Sequence, residues 1–165
     1  MKKLLIVYDS WSCGNTERIA KILQCTAGGD LWKLDTAEPY RGSYSEVDDQ
    51  GQREVNQGYE PELKPLNVDP ADYDVIAVGT PTWWYTMAPA VKTFLHKNTF
   101  AGKTVVPFMT NGGWPGHVIR DMKNACTGAK IACEMQVKFD SNGGDHLETP
   151  EANIDAWARD VKALL

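Results

Sequence analysis

Within Asp9-Ser10-Trp11-Ser12-Cys13-Gly14-Asn15-Thr16 the chain gathers three hydroxyls, a primary amide and a run of backbone N–H groups. An apolar run, Leu4 to Tyr8, precedes this stretch, and residues of helical period follow it, so the stretch ends at a helix N-terminus. Uncapped N–H groups and the aligned peptide dipoles favour an anion there, and short hydroxyl side chains add donors without bulk. A phosphate group suits that chemistry, with the Ser10, Ser12 and Thr16 hydroxyls, the Asn15 amide and the free backbone N–H groups at the helix start converging on it. Gly14 lets the backbone approach closely. The loop holds no Lys or Arg, so its donors are neutral. An ordinary capped helix start uses the same residue types, and this loop alone leaves both readings open.

Several phosphate chemistries are excluded. The pattern GxxxxGK[ST] is absent, and so is G-x-G-x-x-G. A phosphatase loop needs five residues between its Cys and Arg, whereas Cys13 and Arg18 have four. A phospho-acceptor Asp is missing from the end of the third strand, where Gly79-Thr80 stands.

Two further loops carry chemistry. Gly79-Thr80-Pro81-Thr82-Trp83-Trp84-Tyr85-Thr86 places three aromatic residues in succession, which cannot all point into one core. A flat π-system would stack on such a platform for about 0.5–1.5 kcal/mol per pair beyond area burial. Packing of Trp83 and Tyr85 on neighbouring helices is the competing reading. Thr110-Asn111-Gly112-Gly113-Trp114-Pro115-Gly116 offers a turn whose adjacent glycines admit close approach, with Trp114 as a second aromatic wall or a lone surface Trp.

The elements that position these loops alternate in type. Continuous apolar runs at Leu4–Tyr8 and Val75–Val78, with Leu31–Leu34 and Thr104–Met109, predict parallel strands covered on both faces. Pro107 within the fourth strand removes a ladder donor. A fifth strand, Ile131 to Phe139, alternates as an exposed edge should. Helices are expected between the strands, the last with Thr149 as N-cap and Pro150 at its first position. Such a β-α-β-α order predicts an open parallel sheet with helices on both faces, and ligands outside the carboxyl ends of its strands. All three loops fall on that edge. Together a phosphate cradle, a ring platform and a glycine turn describe a pocket for flavin mononucleotide (FMN).

On these motifs the chain resembles the flavodoxins, particularly flavodoxin-like proteins with a Gly-Thr-Pro-Thr-Trp-Trp segment and a Thr-x-Gly-Gly loop. The resemblance spans nearly the whole chain. It implies a three-layer α/β/α fold with a five-stranded parallel sheet in the order 2-1-3-4-5, and an uninterrupted fifth strand as in the short-chain form. It also implies that Ser10, Ser12, Asn15 and Thr16 hold the FMN phosphate, with Cys13 and Gly14. Pro81, Thr82, Trp83, Trp84 and Tyr85 would line ribityl and ring, and Thr110, Asn111, Gly112 and Gly113 the pyrimidine edge. Neither ring loop contains Asp or Glu. A carboxylate ~10 Å from a reduced anionic ring costs ~1–2 kcal/mol at an effective dielectric near 20, so a less negative potential than an acidic carrier's is expected.

The 165 residues fit a single domain, with one acidic insertion at 36–66 after the second strand. That segment holds seven acids and three bases, so it carries −4 of the chain's net −5. The acidic balance argues against nucleic acid as a partner, and no apolar run approaches a membrane span. No signal peptide is read, and Cys13, Cys25, Cys126 and Cys133 lack disulfide or zinc spacing, which points to a cytoplasmic protein with reduced thiols. His117 and His146 read as surface residues, with Asp145-His146 a candidate for proton delivery. The expected function is electron transfer with redox partner proteins. The alternatives are an NAD(P)H-dependent quinone reductase acting on a small aromatic acceptor, and a flavin-free interaction module.

Overall fold

Side-chain alternation along three strands builds two cores. In β1 (Leu4–Tyr8), β3 (Val75–Trp83) and β5 (Thr104–Asn111), residues Leu5, Val7, Ile76, Val78, Val105 and Met109 face one side. Leu4, Ile6, Val75, Ala77, Val106 and Phe108 face the other. Helices α1 (Asn15–Ala27) and α5 (Glu151–Lys162) cover this second face through Ile19, Leu23, Ile154 and Trp157. The first face is covered by α3 (Pro89–Lys97) and α4 (Val118–Ala125), through Val91, Phe94, Ile119 and Met122. Burial on both sides is why these strands read as unbroken apolar runs. The computed structural model describes all 165 residues. None of its helices is long and apolar enough to cross a membrane.

The sheet is parallel, with β2 (Asp30–Lys33) at one edge followed by β1, β3 and β5. The far edge corrects the expected continuous fifth strand. It is split into β6 (Lys130–Ile131) and β7 (Met135–Lys138), both paired with β5. Register passes from Val105 opposite Ile131 to Phe108 opposite Met135, so one extra residue is inserted between them, as in a bulge. Cys133 sits in the gap at φ 52°, and its carbonyl accepts from Trp157 Nε1 at 2.6 Å. The bulge lies opposite Val106 and Pro107. A residue without an N–H is therefore placed where the neighbouring strand makes no regular ladder, which accounts for Pro107.

The acidic segment 36–66 contains α2 (Tyr44–Gln57), which leans on α3 and the end of β3. Its start is a capping box: Ser43 Oγ accepts from Glu46 N at 3.2 Å, while Glu46 returns its carboxylate to Ser43 N at 2.6 Å. The four cysteines are all free thiols. Burial pushes the Cys126 thiol up to about 11.

Candidate functional site

A cavity of about 550 Å³ opens at the carboxyl ends of β1, β3 and β5. The loop after β1 forms its floor. Ser10 and Thr16 are buried there, and Gly14 precedes α1 in the left-handed conformation at φ 72°. Nothing within the protein accepts from the backbone N–H groups of residues 11–17, and no side chain caps α1. Such a nest of donors at a helix N-terminus is an anion cradle.

The side chains of this loop divide their work. Ser10 and Ser12 make no hydrogen bond to other protein groups through their hydroxyls, whereas Thr16 Oγ1 is paired with Thr110 Oγ1 at 2.8 Å, tying the floor to β5. Asn15 Nδ2 donates to the Gly144 carbonyl at 3.0 Å and Cys13 Sγ to the Gly143 carbonyl at 3.1 Å. Asn15 and Cys13 therefore fasten a second loop over the first. That loop follows β7 and is organised by Asp140, whose carboxylate accepts from the N–H groups of Asn142, Gly144 and His146 at 3.0–3.1 Å. These bonds, the one from Gly144 first, hold the Asp140 carboxyl below its usual range.

The aromatic wall is not the loose loop that the sequence implies. β3 runs on to Trp83, turns through Trp84 and Tyr85, and returns as β4 (Thr86–Met87), with Trp83 opposite Thr86. Both turn residues have positive φ, 48° and 68°. Two-residue hairpins of this kind favour Asn-Gly, and non-glycine residues held left-handed cost about 1–3 kcal/mol each. Trp83 packs edge-on to Tyr40, with ring centroids 5.0 Å apart, and against α2 at Gly51. A Cβ on Gly51 would lie 2.8 Å from the Trp83 ring, so only glycine admits the helix here. Trp84 Nε1 donates to the Asp48 carbonyl at 2.9 Å. Tyr85 and Trp114 stand exposed at the rim, and Trp11 meets Tyr44 with centroids 6.1 Å apart.

Of the residues expected from sequence, Ser10, Ser12, Gly14, Asn15 and Thr16 line the cavity, as do Pro81 to Tyr85 and Thr110 to Gly112. The Cys13 side chain turns away to Gly143, and Gly113 lies outside the lining, beside Lys138. His117, Asp145 and His146 are also outside. Two walls escaped the sequence reading. One is the α2 face with Tyr44, Val47, Asp48 and Gly51; the other is the 139–144 loop. Asp-Ser-Asn-Gly-Gly at 140–144 is a turn signature after a strand and was a usable signal. These walls also bring Asp48 and Asp140 to a cavity whose ring loops contain no acid.

A profile of the flavodoxin family matches residues 3–153 of the chain. The chain belongs to that family. Among solved structures it is similar to a candidate flavoprotein from Bacteroides eggerthii, at 29% identity over 99% of both chains with a TM-score of 0.77. A flavoprotein from Lactobacillus acidophilus in complex with FMN matches at 22% identity, with 96% of this chain and 99% of that one covered and a TM-score of 0.71. Oxidised Flavodoxin 2 from Bacillus cereus matches at 18% over 99% of both chains, with a TM-score of 0.60. No curated protein matches.

Proposed function

We propose that this chain binds FMN noncovalently in the cavity and serves in electron transfer between redox partners. The observation that carries the reading is the set of unpaired N–H groups at residues 11–17, with the Ser10 and Ser12 hydroxyls, beside an aromatic wall in the same cavity. The donors fit a phosphate and the wall fits a planar ring. Family membership and the FMN complex of the Lactobacillus relative support the same assignment.

The flavin would supply reversible electron uptake, and the protein supplies everything else. Ser10, Ser12 and the N–H groups hold the phosphate. Trp84, Tyr85 and Trp114 offer faces to the ring, and α2 with the 139–144 loop narrows the access of water. The rim aromatics Tyr44, Tyr85 and Trp114, all more than half exposed, favour a second reading: a reductase for a small planar acceptor such as a quinone. Steady-state oxidation of NAD(P)H with a quinone separates the two, since a carrier shows no turnover without a partner protein.

FMN and riboflavin titrations of the apo protein test the assignment itself. Hydrogen bonds to a charged group are worth about 1.5–3 kcal/mol each, so Ser10→Ala with Ser12→Ala is expected to weaken FMN by at least about 100-fold and leave riboflavin unchanged. Equal loss for both ligands would remove the phosphate assignment, and binding of neither by the parent protein would leave the interaction-module reading.

A further inference from the structure

The Trp84–Tyr85 turn is held from outside the cavity. Thr86 Oγ1 donates to Asp121 Oδ2 at 2.6 Å, and His117 Nδ1 meets the same carboxylate oxygen. The His117 backbone N–H donates to the Tyr85 carbonyl at 2.8 Å. Gly116, at φ 54°, closes beneath Tyr85; a Cβ there would lie 2.3 Å from the Tyr85 carbonyl oxygen and 2.6 Å from its Cα. Burial alone would raise the Asp121 carboxyl, but its bonds to Thr86 and His117, together with the attraction of His117 and Arg120, keep it below the usual range, ionised as an acceptor. Thr86, Gly116, His117 and Asp121 contribute nothing to the cavity lining.

Two adjacent aromatic residues in left-handed backbone conformation persist only where their surroundings over-determine them. Relaxing either φ to negative values would swing the side chains of Trp84 and Tyr85 off the cavity wall. We propose that Thr86, His117 and Asp121 form a clamp that positions the Trp84–Tyr85 turn for a planar ring, which makes Thr86 and Asp121 positioning residues for flavin affinity although neither touches the ligand. This rests on the FMN reading above. When only a fraction of molecules holds the competent turn, apparent affinity falls by that fraction.

The test uses riboflavin, FMN and inorganic phosphate on apo protein carrying Thr86→Val, Thr86→Ser or Asp121→Asn. Thr86→Val and Asp121→Asn are expected to weaken riboflavin and FMN about tenfold while phosphate affinity stays at the parent value. Thr86→Ser keeps the hydroxyl and restores ring affinity. Amide exchange at residues 84–87 should quicken in the apo Val variant, with protection of β1 and β3 unchanged. Ring affinity unchanged in Thr86→Val and Asp121→Asn overturns the clamp. Parallel loss of phosphate binding, or a Ser variant as weak as the Val variant, assigns Thr86 a general structural role and overturns it too. If the parent protein binds neither riboflavin nor FMN, the FMN reading fails with it; parent binding with indifferent variants removes the clamp alone.

Discussion

Asp9 sits between β1 and the anion cradle, and its backbone N–H donates to the Gly79 carbonyl. Burial pushes its carboxyl up to about 7, against the attraction of Lys33, and Asp35 adds to the rise. The sign of the consequence is definite. The folded protein keeps a proton that the unfolded chain releases near pH 4, so the fold binds more protons between the two values. Stability therefore declines as pH rises from about 4 to about 7 through this group, and the loss is complete above that window. Asp9→Asn imitates the protonated form and abolishes this part of the slope. Urea unfolding should show the variant close to the parent at pH 4 and more stable by roughly 2–4 kcal/mol at pH 8. Equal differences at both pH values would mean that Asp9 ionises freely in the folded state.

At the scale of elements, α2 shows how a wall of the site depends on local chemistry far from any strand end. Its buried residues are Val47, Gly51 and Glu54, a stripe too thin to hold a helix by apolar burial alone. The capping box and the Tyr40 hydroxyl, which donates to Glu54 Oε1 at 2.7 Å, make up the difference. Ser43→Ala should cost about 1 kcal/mol of helix stability. The expected readout is local: faster amide exchange in 44–50 and faster FMN dissociation, with strand protection unchanged. Slower or unchanged dissociation would show that α2 does not retain the ligand. The same helix marks the limit of legibility. Glycine inside a helix is unfavourable by about 1 kcal/mol, yet Gly51 is the residue that lets α2 lie on Trp83. The strands of the centre were legible because burial on both faces leaves an unbroken apolar run, and the anion loop because its donors are sequential. The hairpin was not legible, since Trp84-Tyr85 violates the usual turn chemistry and is held by Asp121, thirty-five residues from Thr86. The bulge left only Pro107 as its sign.

Over the whole molecule, charge and ligand have the same sign. The chain carries −5, most of it in the segment that contains α2, and Asp48 and Asp140 reach the cavity. The cradle that meets a phosphate is built of hydroxyls and N–H groups, with no Lys or Arg in the lining. Its attraction is short-ranged and lies within contact distance, where salt has little effect. Repulsion from the dispersed carboxylates acts over longer distances through solvent and is screened once the Debye length falls to ~10 Å at 0.1 M. FMN should therefore bind more tightly as salt rises, by about two- to fivefold between 10 and 300 mM, while riboflavin, which has no phosphate, stays constant. The paired titrations subtract any effect of salt on ring stacking, leaving the phosphate's own response. Weaker FMN binding at high salt would mean that a cation outside the lining, such as Lys138 beside Gly113 or Arg18 beside Asp145, supplies the attraction in place of the neutral cradle.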